Sequence, residues 1–211
     1  AEDGIRDKLV TGVQTCALPI CDGRPRSKQW ASSLNKRAVV DHNDLPLNDL
    51  LVVDLSRLVS GNILTHVLAD LGAQVLKIES PDKGDDLRAW RRGGISTYWL
   101  AYCRNKQSVA LNLRDSDDLQ ALKELLANAD VLVENFRPGV LEKMGLSRTE
   151  LQAINPKLVV IRISGWGQTG LFAGKPGFGS LIEAFSGFAA MNGFADRAPV
   201  DRKSTRLNSS H

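Results

Sequence analysis

The sequence predicts an α/β protein built on a parallel, doubly wound (Rossmann-like) sheet. Its first clear unit is a strand, a helix and a second strand within Leu50–Glu79. Including these two, five strand-like segments alternate with helical segments as far as Ala190, which is the order expected of a doubly wound sheet. Most of the strand-like segments are short and apolar, as is typical of strands buried on both faces.

The first unit has clear boundaries. Leu50–Val53 is an apolar run closed by Asp54 and is predicted to be a buried strand, and Val75–Ile78 is predicted to be a second strand of the buried type. Apolar residues recur between them at helical spacing (Ile63, Val67, Leu68 and Leu71), and Gly72 stands where a helix C-cap belongs. Two parallel strands joined in this way need a right-handed crossover. Ligands of such sheets bind beyond the carboxyl ends of the strands, so the site is expected in loops 55–62 and 80–94.

The later elements follow the same alternation. Their predicted ranges are a helix at Thr97–Tyr102, a strand at Ser108–Leu113, an amphipathic helix at Ser116–Ala127, a strand at Val131–Val133, two short helices within Leu141–Ile154, a strand at Leu158–Ile163 and a helix at Ser180–Ala190. Ser147 with Glu150 predicts a capping box at the second short helix. Ser80–Gly94 is rich in Gly, Asp and Arg and is interpreted as a long functional loop rather than a packed element.

The two ends of the chain are related to each other. Val10–Ile20 and Asp201–His211 are each eleven residues long. One choice of codons for the second segment has a reverse complement that translates as the first. This match indicates a single oligonucleotide read in opposite directions, and it resembles a sequencing adapter. We therefore interpret residues 1–20 and 201–211 as adapter-derived rather than as natural disordered tails, and exclude them from the predicted fold.

The charge of the remaining chain is nearly balanced. The ends hold five of the 27 basic and four of the 24 acidic residues, which leaves 22 and 20 in residues 21–200. Such a balance gives no electrostatic case for a nucleic-acid or membrane partner. Two distant cysteines, Cys21 and Cys103, favour a reduced intracellular protein, cytoplasmic or in the mitochondrial matrix if eukaryotic. Residues 21–47 are polar and irregular, and are predicted to be a flexible N-terminal extension.

Single motifs are not informative about the chemistry. The sequence has no cluster with metal-ligand spacing, no G-x-S-x-G elbow and no Walker A loop. Residues 165–170, GWGQTG, fit a glycine-rich phosphate cradle and a plain turn equally well. His66 lies within the first helix and is interpreted as structural.

Several motifs in one order are far more specific. They are VVDLSRLVSGN, HVLADLGAQVLKIE, GDDLRAW, RNKQSVALNL, ADVLVENFRPGVLEKMGL, ISGWGQTG and PGFGSLIEAFSGF. Together they closely resemble the family III CoA-transferases (CaiB/BaiF type, formyl-CoA transferase-like). The resemblance covers residues 48–200 and implies the N-terminal part of the large domain of such an enzyme.

The resemblance implies an activity and its substrates. Family members are interlocked homodimers that move CoA between an acyl-CoA thioester and a carboxylic acid. They need no separate cofactor, because the CoA thioester is itself the substrate. An aspartate attacks the thioester and passes through mixed-anhydride and enzyme-thioester intermediates. A carboxylate is a weak nucleophile, so the site must desolvate it and place it against the thioester carbon.

The resemblance also implies binding residues. Contacts to CoA are expected at Leu58, Leu111, Arg114, Asn135, Phe136, Arg137 and Lys143. Arginine and lysine suit the phosphates of CoA, and apolar or aromatic groups suit its adenine. Val59 stands where the formyl-CoA transferase has glutamine, which argues against small oxalate-like substrates.

The nucleophilic aspartate is expected about eight residues beyond Val200, where the chain is adapter-derived. Neither Asp196 nor Glu183 matches the motif, so no catalytic residue is assigned and the 211-residue chain is expected to be inactive. Two alternatives stay open: a fragment of an α-methylacyl-CoA racemase and a non-catalytic acyl-CoA-binding protein. The racemase branch has a catalytic histidine where this chain has Phe178, which favours transfer.

Overall fold

The computed structural model describes residues 45–192 and 195–198. The interpretations of residues 1–20 and 201–211, and nearly all of the extension 21–47, lie outside these ranges. The described residues contain a five-stranded sheet in the order β3-β2-β1-β4-β5. Its strands are β1 (Leu51–Asp54), β2 (Gln74–Glu79), β3 (Lys106–Ala110), β4 (Val131–Glu134) and β5 (Val159–Arg162). The predicted α/β class with a parallel, doubly wound sheet is confirmed.

Seven α-helices accompany the sheet in the described residues. They are α1 (Ser60–Asp70), α2 (Thr97–Tyr102), α3 (Ser116–Ala127), α4 (Val140–Lys143), α5 (Arg148–Ile154), α6 (Gly179–Phe185) and α7 (Phe188–Met191). Helices α2 and α3 have the predicted bounds, and the capping box of α5 is present. The single helix predicted at Ser180–Ala190 is wrong. It is two helices, because Gly187 adopts a φ of 78° that interrupts the first.

The described chain divides into two compact units. The first comprises residues 45–135 and 141–161, and the second comprises residues 136–140, 162–192 and 195–198. All of β1 to β4 lies in the first unit, together with helices α1, α2, α3 and α5.

Strand β1 is the centre of the sheet. Val52 pairs in parallel with Val75 of β2 on one side and with Val131 of β4 on the other. Val52 and Val53 are fully buried, as are Leu132 and Val133 of β4. The chain leaves β1 first toward β2 and β3 and later toward β4 and β5, so its direction reverses between β1 and β4. In open α/β sheets this reversal creates the crevice in which ligands bind.

Helix α1 buries an unexpected face. Three of the four apolar residues that predicted the helix, Ile63, Val67 and Leu71, are between 38% and 49% exposed, and the fourth, Leu68, is half-buried. Asn62 and Thr65 are instead fully buried, beside Ala69. The inner face of α1 is therefore polar, because buried charges lie beneath it.

Candidate functional site

A cluster of buried charges lies at the carboxyl end of β1. Asp54, the last residue of β1, is fully buried, and so are Lys77 of β2 and Lys106 of β3 to within a few per cent. The Lys77 ammonium lies 3.6 Å from Asp54 Oδ1, and that of Lys106 lies 3.3 Å from Asp54 Oδ2. Buried ammonium groups need such partners, since desolvation of an unpaired charge costs several kcal/mol.

Polar groups of α1 complete the shell around Lys106. Its Nζ donates to Asn62 Oδ1 (3.1 Å), to the Asn62 carbonyl (3.0 Å) and to Thr65 Oγ1 (2.6 Å). Thr65 Oγ1 donates in turn to Asp54 Oδ2 at 2.6 Å. Burial lowers the pKa of Lys106, and the neighbouring Asp54 carboxylate opposes this effect without cancelling it. This shell explains why α1 presents polar residues inward.

Asp85 brings the loop after β2 into the same cluster. Its carboxylate lies 3.2 Å from Lys77 Nζ and is only 3% exposed. Burial raises the pKa of Asp85, but the Lys77 charge and hydrogen bonds from the Leu87 N–H and from Asn62 outweigh burial, so the pKa lies below its ordinary value. Leu87 is itself fully buried. The prediction that Ser80–Gly94 is unpacked is therefore wrong for this part of the loop, which includes a 3₁₀ turn at Asp86–Ala89.

A second ion pair fixes the start of this loop. Arg88 donates from Nε (2.7 Å) and Nη2 (2.8 Å) to the two oxygens of Glu79, and its guanidinium lies 3.7 Å from the centroid of the Trp99 ring. Ser108 Oγ donates to Glu79 Oε1 at 2.5 Å, and the Asp85 N–H donates to Glu79 Oε2 at 2.8 Å. Arg88 is thus held by Glu79 at the end of β2 and by Trp99 of α2.

Acid should weaken this second ion pair. Burial raises the pKa of Glu79, but hydrogen bonds from Arg88, Ser108 and Asp85 outweigh burial, and the pKa lies below its ordinary 4.5. As pH falls, the unfolded state therefore takes up a proton before the folded state does. The contribution of Glu79 to stability is complete above pH 4.5 and is lost as pH falls through the lower folded-state pKa. We expect the free energy of unfolding, measured in urea at several pH values below 6, to rise with pH. We expect Glu79→Gln to show a shallower rise, and an unchanged slope would contradict this assignment.

Asn135 connects the two loops at the reversal point of the sheet. Its Oδ1 accepts from the Arg57 N–H at 2.8 Å, and its Nδ2 donates to the Arg57 carbonyl at 2.7 Å and to Ser60 Oγ at 3.2 Å. The side chain of this predicted CoA-binding residue therefore holds the β1–α1 loop from the end of β4. Arg57 also forms an ion pair with Asp86, so the three loops after β1, β2 and β4 are joined.

The other predicted binding residues differ in accessibility. Arg114 and Lys143 are exposed in the first unit, and Leu58 is half-buried in the β1–α1 loop. Leu111 is only 3% exposed, so its side chain offers almost no surface to a ligand. Phe136 and Arg137 belong to the second unit, where Arg137 is exposed and Phe136 is half-buried. The first unit therefore brings Leu58 and Asn135 into one loop cluster.

The glycine-rich segment 165–179 lies in the second unit and folds on itself. A Cβ added at Gly165 would lie 2.7 Å from the Gly177 backbone, so the two glycines allow a close backbone approach. Trp166 Nε1 donates to the Pro176 carbonyl at 3.0 Å, and its ring packs 4.9 Å from that of Phe185. No helix begins directly after GWGQTG, since α6 begins at Gly179. A helix N-terminus of the kind that binds phosphate is therefore not present directly after this segment, which favours the turn interpretation.

The described residues show neither of two other kinds of site, a metal centre or a membrane span. No group of three or more His, Cys, Asp or Glu side chains is arranged to hold a metal ion. No helix in this part of the chain is long and apolar enough to cross a membrane. Cys103 is buried, and burial raises the pKa of its thiol to about 12, which makes it unreactive at neutral pH.

Comparison with known proteins gives concordant results. Residues 47–206 match the family model described as CoA-transferase family III. The chain is 45% identical over 158 residues to the succinyl-CoA–D-citramalate CoA-transferase of Chloroflexus aurantiacus, covering 74% of this chain and 39% of that protein. It is 42% identical over 167 residues to the succinyl-CoA–L-malate CoA-transferase β subunit of the same organism, covering 77% and 41%.

A solved structure agrees with the sequence relatives. A CaiB/BaiF family protein from Brucella suis superposes with a TM-score of 0.70 at 38% identity, covering 74% of this chain and 43% of that one. The chain thus spans about two fifths of the length of the relatives that it matches. The matched segment includes the whole buried charge cluster and the three joined loops. By these matches in sequence and in structure, the chain belongs to CoA-transferase family III.

Proposed function

We propose that this chain forms the coenzyme A-binding part of an enzyme that transfers CoA from an acyl-CoA thioester to a carboxylic acid. The observation that carries this proposal is the family match over residues 47–206. The loop cluster at the reversal point of the sheet supports it, because that is where α/β sheets bind ligands. The CoA contacts we propose are Leu58, Arg114, Asn135, Phe136, Arg137 and Lys143, whereas the burial of Leu111 leaves it almost no surface for a ligand.

The substrates we propose are a succinyl-CoA-like donor and a dicarboxylic acid acceptor. The support is that two relatives are a succinyl-CoA–D-citramalate and a succinyl-CoA–L-malate CoA-transferase. No cofactor other than the thioester is proposed. The whole enzyme is proposed to act as a homodimer, by its likeness to the family.

The reaction proposed for the whole enzyme passes through an aspartate. Its carboxylate attacks the thioester carbon and CoA leaves as the thiolate, which gives a mixed anhydride. CoA thiolate then attacks the enzyme's own carbonyl, releasing the donor acid and leaving an enzyme–CoA thioester. The acceptor carboxylate repeats these steps in reverse. We propose that the 211-residue chain lacks this aspartate, and that it binds CoA without turnover.

Binding is tested by calorimetric titration of the 211-residue chain with CoA. We expect saturable binding that Arg114→Ala and Lys143→Ala each weaken by roughly ten- to a hundredfold, as for the loss of a charge-assisted hydrogen bond. Lys157→Ala is the matched control, because Lys157 is an exposed cation of the same unit that is not among the proposed contacts. Absence of binding, or equal losses in all three variants, would contradict the proposed binding role.

Turnover is tested separately by incubating the chain with succinyl-CoA and either citramalate or malate, followed by mass spectrometry. We expect no new CoA ester. If a new ester forms, the activity is supported and the proposed absence of the nucleophile is wrong. The non-catalytic acyl-CoA-binding alternative predicts the same result for this chain, and it is distinguished by assaying any natural chain that continues past Val200. Racemisation is less supported, because both named relatives are transferases.

A further inference from the structure

Leu58, in the β1–α1 loop, has an unusual backbone conformation. Its φ is 62°, and among the described residues only Asn105 is another non-glycine residue with positive φ. The left-handed region is disfavoured for leucine, because Cβ approaches the following carbonyl oxygen. Asparagine tolerates this region far better than leucine does. The conformation of Leu58 must therefore be imposed by its surroundings.

Two buried side chains hold the peptide groups of Leu58. Its N–H donates to Asp85 Oδ1 at 3.1 Å, and its carbonyl accepts from Asn62 Nδ2. The same Asn62 amide donates to Asp85 Oδ2 at 3.0 Å. Asp85 and Asn62 thus form a clamp that holds Leu58 from both sides.

The clamp is itself anchored by the buried lysines. Lys77 lies against Asp85, and Lys106 donates to Asn62 Oδ1. Both oxygens of Asp85 act as acceptors, since Oδ1 also accepts from the Leu87 N–H at 2.8 Å. An asparagine at this position would oppose an N–H₂ group to existing donors in either orientation.

We propose that Asp85 is a positioning residue. Together with Asn62, it holds Leu58 in the left-handed conformation and so sets the shape of the loop at which CoA binds. The effect on CoA rests on the proposed function, whereas the effect on the loop does not. Asp85 lies in a different loop from Leu58, so it couples the segment after β2 to the segment after β1.

The first test is amide hydrogen exchange of the 211-residue chain, followed by NMR. Asp85→Asn is expected to accelerate exchange at the Leu58 amide roughly tenfold, as for the loss of about one net hydrogen bond. The amide of Leu122, a core residue of α3, is expected to change much less. The matched control is Asp82→Asn, an exposed aspartate of the same loop. Equal acceleration at Leu58 and Leu122 would show global destabilisation only, and would overturn the proposal.

A second variant covers the case in which Asp85→Asn does not fold. Asn62→Ala keeps the ion pair between Asp85 and Lys77 but removes the donor to the Leu58 carbonyl. It is expected to accelerate exchange selectively at residues 58 and 59. Unchanged exchange there would overturn the clamp.

The last test separates positioning from a merely structural role. Asp85→Asn is expected to weaken CoA binding roughly tenfold, since one clamp contact is lost. Leu58→Gly alone removes one proposed CoA contact, but glycine adopts positive φ without a clamp. Asp85→Asn is therefore expected to weaken CoA binding much less in the Leu58→Gly background than in the parent chain. An equal loss in the two backgrounds would overturn the positioning role. If the parent chain binds no CoA, the proposed function fails, and the exchange experiment still decides the role of Asp85.

Discussion

Replacing Asp54 with alanine is expected to lower the free energy of unfolding by about 3–5 kcal/mol, the range for removing one partner of a buried ion pair. Asp54 is fully buried, and its carboxylate faces the ammonium groups of both Lys77 and Lys106. It also accepts from Thr65 Oγ1 and from the Ser56 N–H. Removing the Asp54 carboxylate leaves both lysines buried with one fewer partner each. Urea unfolding monitored by circular dichroism measures the loss, and a complete absence of a cooperative transition would be the extreme form of the same result.

Asp70→Ala is the matched control at the other end of α1. Asp70 pairs with Arg104 at 2.6 Å, but both side chains are more than a third exposed to water. Such pairs contribute at most about 1 kcal/mol. Adding Lys106→Met to the Asp54→Ala variant should recover part of the loss, because it removes a buried charge that has lost its partner. A loss below about 1 kcal/mol for Asp54→Ala would show that water or rearrangement compensates the lysines.

Gly61→Ala is expected to have the second largest effect, about 3 kcal/mol, at the upper end of the range for overpacking a rigid site. A Cβ on Gly61 would lie 2.1 Å from Ser56 Cβ and 2.2 Å from Ser56 Oγ. Ser56 is fully buried, and its hydroxyl donates to Asp54 at 2.5 Å, so it cannot turn away without breaking the charge cluster. The loss is measured as a shift in the urea midpoint.

Gly174→Ala is the control for glycine replacement, because a Cβ there meets no atom within 4 Å and its φ is not positive. A change within about 0.5 kcal/mol is expected, as for ordinary surface substitutions. The double variant Ser56→Gly with Gly61→Ala removes the clash and should be more stable than Gly61→Ala alone. If the double variant is no better, the cost lies elsewhere than in this contact.

The spacing of apolar residues along the sequence predicted the helices whose stability depends on apolar contacts. Helix α3 has the predicted bounds because its buried leucines, Leu122 and Leu126, follow one face. Helix α2 has its predicted bounds because Trp99 is buried against Leu87 and Cys103. Local signals also sufficed for the capping box of α5, since that motif is read within four residues.

The apolar pattern failed around Lys106, a charged residue whose side chain is buried. Strand β3 begins at Lys106, two residues before the predicted start, because its ammonium is satisfied inside the protein rather than by water. Because Lys106 donates to Asn62 and Thr65, the buried face of α1 is the polar one rather than the apolar one. A sequence pattern treats lysine as a surface residue, and the partners that make its burial possible come from strands and loops far away in the chain.

The candidate site was predicted as two loops rather than as a cluster. The loops after β1 and β2 were identified from the expected sheet, and the structure joins them through Asn62 and Asp85. Asp85 occurs in the motif GDDLRAW, which was a signal of family membership but not of its role. The role of Asp85 follows only from the positive φ of Leu58, a backbone property that cannot be predicted from the presence of a leucine.

The strand order has a consequence for how the protein folds while it is being synthesised. Strand β1 meets β2 within about two dozen residues, yet its other neighbour begins at Val131, and Leu51 bonds to a residue 79 positions later. At a translation rate of about 5–20 residues per second, the edge of β1 that pairs with β4 stays unpaired for roughly 4–16 s. During that interval the innermost strand of the finished sheet has an unpaired apolar edge, which is open to pairing with another chain.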